Sequence, residues 1–126
     1  VEKIRKIITH SQTLILCSPE YHGCISGVLK NFFDLLNLEH LEEKLVANIT
    51  VLGGISNCNA VNAITQICHY LHAWVLPQPL IIPHSDTAFD SEGRFINPEH
   101  EKRLTALVCR LINYSKKGKG KKYKES

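Results

Sequence analysis

Strand-like and helix-like segments alternate along this chain, and that alternation constrains its fold more than any other feature. Apolar runs typical of buried strands occur at 13–17, 46–52 and 74–76. Segments whose apolar residues recur at helical spacing surround them, at 1–8, 26–36, 60–71 and 98–112. Regular alternation of this kind predicts a parallel sheet with right-handed helical crossovers. The sequence therefore predicts one α/β domain over residues 1–114.

The predicted sheet is thin, because only three strand-like runs are visible. Its first helix has no strand before it, and the chain begins with Val1 and contains no Met. We therefore expect a further β–helix–β segment to precede Val1. The third run is followed by three prolines at 77, 79 and 83. Prolines cannot donate to a strand ladder, so we expect this run at an edge of the sheet.

Composition is typical of a soluble globular domain. The chain has 126 residues, of which 44% are hydrophobic and 21% charged, and no apolar run approaches the roughly 18 residues of a membrane-spanning helix. We therefore expect no membrane partner. The five cysteines form no C-x-x-C pair, which predicts reduced thiols and a cytoplasmic location. Cys68, His69 and His72 lack a further ligand pair at suitable spacing, so we expect no metal site.

The net charge of +3 comes from the end of the chain. The segment from Lys116 to Lys124 contains six lysines, whereas residues 1–115 are close to neutral. The folded part therefore gives no electrostatic argument for nucleic acid. We predict that residues 115–126 form a disordered tail. Binding of nucleic acid or anionic lipid by this tail is a weaker alternative.

The loop after the first predicted strand contains the strongest functional signal. We expect Pro19 to stop the strand, Glu20 and Tyr21 to project at the carboxyl end of the sheet, and Gly23 to relieve the backbone. His22 contacts a ligand or caps the turn. Loop amides beside an aromatic side chain can hold a flat ligand such as a flavin, since open α/β sheets bind ligands at this end. A plain strand-to-helix turn that leads into a helix near Ser26 is the alternative.

A second loop follows the next predicted strand. It begins with Gly53 and Gly54, and adjacent glycines allow a backbone to approach a ligand closely. In a parallel sheet this loop lies beside the first one, so both would face one crevice. No Ser, His and Asp residues are spaced like a nucleophile with its base, and we predict no catalytic side chain.

Five segments together resemble one known family, the NADPH-dependent FMN reductases. They are Pro19–Gly23, Gly27–Asp34, Gly53–Gly54, Leu71–Pro77 and Phe89–Arg94. The variant with His22 and His72–Trp74 is most similar to the cyanobacterial and plant branch of the family. The similarity runs from Val1 to about residue 112.

The resemblance implies a flavodoxin-like three-layer sandwich, with a parallel sheet of strand order 2-1-3-4-5. It implies FMN as cofactor and NADPH as co-substrate, with hydride passed on to a flavin, quinone, azo compound or metal oxyanion. A homodimer or homotetramer is also implied. The residues that the resemblance places at the cofactor are Pro19, Glu20, Tyr21, His22, Gly23, Gly53 and Gly54.

Two departures from the family pattern leave an alternative open. The loop that holds the FMN phosphate in the family would precede Val1, and Asn57–Cys58 stands where the family tends to have further glycine. Loss of several charge-assisted hydrogen bonds, at roughly 1.5–3 kcal/mol each, would weaken FMN binding. The alternative is a non-enzymatic remnant or interaction module of the same fold that binds no FMN. An organelle such as the plastid is an alternative location.

Overall fold

Five strands and six helices make up residues 1–118, the part of the chain that the computed structural model describes. The helices are α1 (Glu2–His10), α2 (Gly27–Asp34), α3 (Leu38–Leu41), α4 (Asn59–Tyr70), α5 (Ser85–Ala88) and α6 (Pro98–Gly118). The strands are β1 (Thr13–Tyr21), β2 (Cys24–Ile25), β3 (Leu45–Val51), β4 (Trp74–Val75) and β5 (Leu80–Ile82). The predicted mixed α/β class with a mainly parallel sheet is confirmed.

Strand β3 lies at the centre of the sheet. It pairs in parallel with β1 along its whole length, from Leu45 opposite Thr13 to Val51 opposite Pro19. On its other side it pairs in parallel with both β4 and β5. The short strand β2 is antiparallel to the end of β1. Because all the strands beside β3 are parallel to it, their carboxyl ends meet at one edge of the sheet.

Two short strands stand where the sequence predicts one: β4 lies in the predicted run 74–76, and β5 follows the prolines. Strand β4 pairs with the beginning of β3 and β5 pairs with its end, and the segment 77–79 between them makes no ladder. Two of these three residues are prolines, which lack the N–H that a ladder needs. Within the described residues both pieces lie at the sheet edge, as predicted, but β5 was not predicted from the sequence.

The two faces of the sheet are covered by different helices. Val46 on one face of β3 packs with Phe33 of α2 and Ile64 of α4, and all three are buried. Ala47 on the opposite face packs with Leu107 of α6. Alternate residues of a strand point to opposite faces, so burial of both faces requires the nearly continuous apolar run that the sequence shows.

Two helix starts agree with the sequence. The Ser26 hydroxyl accepts a hydrogen bond from the Leu29 amide at 3.2 Å and caps α2. Asn97 precedes α6, and its Oδ1 accepts from the Glu99 amide at 3.0 Å. Such caps contribute about 1 kcal/mol each. Helix α6 continues past residue 115, where we predict the tail to begin, to Gly118. The rest of the predicted tail, 119–126, lies outside the described residues.

No helix within residues 1–118 combines the length and the apolar character needed to cross a membrane.

Candidate functional site

The first predicted loop is a β-hairpin. Strand β1 continues to Tyr21, the chain turns at His22 and Gly23, and β2 returns antiparallel to β1. The φ angles of the two turn residues are 51° and 73°, and positive φ at both central residues is the pattern of a type I′ turn. Glycine adopts this conformation freely, whereas for His22 it is strained by roughly 1–2 kcal/mol.

The prediction that Pro19 stops the strand is wrong. Pro19 lies within β1, opposite Val51, which is the last residue of β3. Its fixed φ is compatible with an extended backbone, and its missing N–H falls where the β1–β3 ladder ends. Strand β1 therefore ends at Tyr21, four residues beyond the predicted run 13–17, and Tyr21, His22 and Gly23 are exposed.

The base of the hairpin is held by a buried serine. Ser18 is 0% exposed; its hydroxyl accepts from the Ser26 amide at 3.0 Å and donates to the Pro19 carbonyl at 2.8 Å. The hydroxyl therefore connects β1 to the start of α2, which leaves the turn itself free to face outward.

The second loop follows β3 and lies beside the hairpin at the carboxyl edge of the sheet. A third segment, after β5, fastens it from the other side. The His84 amide donates to the Gly54 carbonyl at 3.0 Å, and the Ser85 amide donates to the Leu52 carbonyl at 2.9 Å. The sequence interpretation missed His84 and Ser85. The signal that could have found them is the short apolar run of β5, which ends in Pro83 and polar residues.

The two predicted glycines of the second loop face open space. A Cβ placed on Gly53 or Gly54 would meet no heavy atom within 4 Å. Among the described residues, no hydrogen-bond acceptor is recorded for the amides of Gly53, Gly54 or Ile55, nor for that of Gly23 in the hairpin. Both loops therefore present free N–H donors at the same edge of the sheet.

Glu20 connects the two loops. Its Oε2 accepts a hydrogen bond from Asn57 Nδ2 at 2.8 Å, and its Oε1 accepts from the Ala60 amide at 3.3 Å. The Ala60 amide belongs to the first turn of α4, where a carboxylate is favourable because of the helix dipole. Asn57 Oδ1 in turn accepts from the Asn59 amide at 3.0 Å. The Glu20 side chain, which we expected at a ligand, thus contacts protein groups.

The two loops, segments 18–24 and 53–58, contain no cationic Lys or Arg side chain that could bind an anionic ligand group. Desolvation raises the pKa of the neighbouring Cys17 thiol. Residues 1–118 contain no group of three His, Cys, Asp or Glu side chains placed to hold a metal ion; of the cysteine and histidines considered from the sequence, Cys68 is buried and His72 exposed. Free amides and an exposed aromatic favour a flat, neutral ring with acceptor atoms.

An open apolar groove lies behind the hairpin, between α2 and α4. Its volume is about 790 Å³. Phe33, Ile67 and Tyr70 line it, and Lys30 and Asp34 stand at its rim, where their side chains pair at 2.7 Å.

Comparison with known proteins decides the family. Residues 1–87 match the NADPH-dependent FMN reductase family, and this match covers more than half of the chain. The chain belongs to the NADPH-dependent FMN reductase family. The family membership expected from the resemblance is therefore confirmed.

Known members and solved structures agree with this assignment. An FMN-dependent NADPH-azoreductase of Staphylococcus aureus is 33% identical over 103 residues, which cover 80% of this chain and 55% of the azoreductase. The flavoenzyme FerB, an NAD(P)H:(acceptor) oxidoreductase from Paracoccus denitrificans, superimposes with a TM-score of 0.76 at 19% identity, over 93% of this chain and 68% of FerB. A flavodoxin from the domain Archaea gives 0.72 at 13% identity, over 89% and 71%.

The structural likenesses confirm the flavodoxin-like fold of this FMN reductase family member. The chain spans about half the length of the curated relatives that it matches.

Proposed function

We propose that this chain provides the flavin-ring part of the FMN site in an NADPH-dependent oxidoreductase. Pro19 to Gly23 would line one side of the isoalloxazine, and Gly53 and Gly54 would lie beside it. The observation that carries the proposal is the pair of adjacent loops whose backbone amides are free at the carboxyl edge of the sheet.

The chemistry of these loops fits a flavin ring. The ring edge of an isoalloxazine carries carbonyl oxygens and nitrogens that accept hydrogen bonds, and the free amides of Gly23, Gly53 and Gly54 can donate to them. The open space in front of both loop glycines leaves room for close approach of the ring. Tyr21, which is 60% exposed, offers an aromatic surface for packing.

Neither loop fits the phosphate of FMN. The two loops lack Lys and Arg, and the Glu20 carboxylate lies between them. We therefore propose that they recognise the ring alone. Bound FMN would supply the redox chemistry, accepting hydride from NADPH and passing it to an acceptor such as a quinone, azo compound, free flavin or metal oxyanion.

Comparison of FMN with riboflavin tests this proposal. Both ligands share the ring and only FMN carries the phosphate, so we expect the chain to quench their fluorescence with dissociation constants within about threefold of each other. That factor is less than about 1 kcal/mol, well below one charge-assisted hydrogen bond. Uptake of neither ligand would contradict the proposal and would favour the alternative of a module that binds no flavin.

Substitution of Gly54 locates the ring. Gly54→Phe fills the space in front of the loop without a clash at its Cβ. We expect the affinity for both flavins to fall at least about tenfold, or about 1.4 kcal/mol, while the midpoint of unfolding stays near that of the parent. Thr105→Phe, at an exposed position on α6, is the matched control. Equal affinities in the two variants would place the ring elsewhere.

We further propose that the chain forms a homodimer through the groove between α2 and α4. Within one chain Lys30 pairs with Asp34, and a two-fold axis would let these two charges pair with their counterparts in a second copy. Tyr70 is 78% exposed at the groove. Tyr70→Glu should dissociate the dimer in analytical ultracentrifugation, whereas Tyr114→Glu on α6 should not. A monomeric parent chain would refute this part.

We also propose a location and a branch of the family for this chain. The presence of five free cysteines supports a reducing location such as the cytoplasm. His22 and His72–Trp74 support the cyanobacterial and plant branch. Fusion of a fluorescent reporter to the coding region, followed by microscopy, tests the location.

A further inference from the structure

Among the described residues, Glu20 is the only residue of the hairpin whose side chain forms a hydrogen bond with the second loop. Its two carboxylate oxygens have separate partners, Asn57 Nδ2 at 2.8 Å and the Ala60 amide at 3.3 Å. Glu20 itself lies in β1, opposite Ile25 of β2. The carboxylate therefore joins one rigid element, the hairpin, to another, the first turn of α4.

The polar side-chain atoms of Glu20 and Asn57 each have one defined hydrogen-bond partner. Asn57 donates to Glu20 through Nδ2, and it accepts from the Asn59 amide through Oδ1 at 3.0 Å. The turn lies close to the same place, because a Cβ on Gly23 would stand 3.7 Å from Asn59 Nδ2. A change in which group donates and which accepts would therefore disturb the spacing of the two loops.

We propose that Glu20 is a positioning residue: its side chain sets the distance between the two loops of the flavin site and makes no contact with the ligand, which only the backbone at this position would face. This inference rests on the proposed function for its effect on flavin binding. The claim that Glu20 holds the second loop to the hairpin depends only on the observed hydrogen bonds.

Reversal of the donor and acceptor provides the sharpest test. In Glu20→Gln the new side chain has one acceptor oxygen in place of two. It can accept from Asn57 Nδ2 or from the Ala60 amide but not from both, and rotation of the Asn57 amide group would instead break its bond to Asn59, so one hydrogen bond is lost in any arrangement. In Asn57→Asp two carboxylates face each other. In the double variant Glu20→Gln/Asn57→Asp the new side-chain amide at position 20 can donate to the new carboxylate at position 57. The carbonyl of that same amide can still accept from Ala60, and the second oxygen of the new carboxylate can accept from Asn59.

Hydrogen exchange of the Asn59 and Ala60 amides, which donate to Asn57 Oδ1 and Glu20 Oε1, measures the fastening without any ligand. We expect exchange to be faster in Glu20→Gln, fastest in Asn57→Asp, and within about twofold of the parent in the double variant, since a hydrogen bond contributes roughly a factor of ten. Glu101→Gln, an exposed carboxylate on α6, should leave it unchanged. Unchanged exchange in Glu20→Gln, or no recovery in the double variant, would overturn the proposal.

Flavin affinity in the same variants tests the link to the site. We expect Glu20→Gln to weaken FMN and riboflavin equally, by about tenfold, and the double variant to recover most of this loss. Loss of affinity with unchanged exchange would show that Glu20 acts on the ligand directly, which overturns the proposal.

Failure of flavin binding and failure of a variant to fold can each be distinguished from failure of this proposal. If the parent chain binds no flavin, the proposed function fails and the exchange data still decide the fastening. If Asn57→Asp fails to fold by circular dichroism, Glu20→Gln and the double variant retain the test.

Discussion

Residues with left-handed backbone conformation occur at both ends of the sheet, and the two ends use them differently. At the amino end, Glu43 and His72 have φ of 62° and 58°. The Glu43 amide donates to the His72 carbonyl at 3.0 Å, and the Trp74 amide donates to the Lys44 carbonyl at 2.8 Å. At the carboxyl end, left-handed His84 (φ 49°) also donates within the protein, to the Gly54 carbonyl, but the amides of left-handed Gly23 and of Gly53–Ile55 in the second loop have no acceptor among the described residues.

This difference distinguishes an end of the sheet with hydrogen bonds inside the protein from the end where we propose that a ligand binds. At the amino end the Glu43 and Trp74 amides donate to protein carbonyls, and Lys44 Nζ donates to the Ser11 carbonyl at 2.7 Å, just after α1. At the carboxyl end the loops are fastened at their bases, by Ser18, Glu20 and His84, while their tips stay free. The position of these hydrogen bonds supports our proposal that the ligand binds at the carboxyl end.

The largest expected effect on stability and flavin binding comes from a substitution that disrupts the hairpin turn at the carboxyl end of the sheet. Gly23→Val puts a β-branched side chain at a φ of 73°. We expect the free energy of unfolding to fall by about 2–3 kcal/mol, because such strain costs up to that amount. Flavin binding should be lost together with the turn. Urea denaturation and fluorescence titration measure the two effects.

Gly23→Asn is the matched control for this substitution. Asn tolerates the left-handed region, and the nearest atom to a Cβ here, Asn59 Nδ2, is at an ordinary contact distance of 3.7 Å. It should lose less than half as much stability as the valine variant. Equal losses in the two variants would show that space, and not backbone conformation, requires glycine here.

The next effect concerns Cys68, which is buried where α4 approaches the amino end. Burial raises the pKa of its thiol to about 11, whereas an unfolded thiol ionises near pH ~8.5. The folded state therefore holds its proton longer, and stability present at neutral pH is lost as the pH rises from the unfolded pKa toward the folded one. The slope should approach about 1.4 kcal/mol per pH unit.

Urea denaturation at several alkaline pH values checks this slope. Cys68→Ala removes the titrating group, so the difference in slope between parent and variant isolates Cys68 from lysine and tyrosine. Parallel stability curves for the two proteins would contradict the assigned pKa.

We expect a smaller effect on stability from removing the backbone strain at His72, at the amino end of the sheet. His72→Gly removes left-handed strain of roughly 1–2 kcal/mol, but glycine also increases the entropy of the unfolded chain by about 0.5–1 kcal/mol. We therefore expect stabilisation of no more than about 1 kcal/mol, with flavin affinity unchanged. A change in affinity would connect the two ends and weaken the distinction drawn between them.

The smallest effect is expected at His22. His22→Asn places the residue preferred at the first central position of a type I′ turn, so stability should rise by about 0.5 kcal/mol, a fraction of the strain assigned to a left-handed residue. If the site uses backbone groups of the hairpin, FMN affinity stays the same. A loss of affinity would assign the His22 imidazole to the ligand.

The helices and the central strand could be predicted because their signals are local. Periodic apolar residues mark α4, and Ser26 and Asn97 mark helix starts through their own capping groups. The error at Pro19 and the failure to predict β5 have a different origin. Both depend on where the β3 ladder ends relative to a proline, and register is a property of two strands together.

For the candidate site, the positions of the two loops could be predicted from the sequence, but the contacts of their side chains could not. Pro19–Gly23 and Gly53–Gly54 could be placed at one edge of the sheet from strand order alone. The role of Glu20 could not, because its partners Asn57 and Ala60 lie 37 and 40 residues away in sequence. His84 was missed for the same reason.

By itself the sequence determined the alternation of elements, the family and the two loops that meet at the carboxyl edge, since periodicity, turn residues and motifs are written locally. Only the tertiary structure decided which polar groups of those loops are used. Whether an amide donates within the protein or remains free for a ligand depends on which distant carbonyl or carboxylate the fold brings within about 3 Å of it.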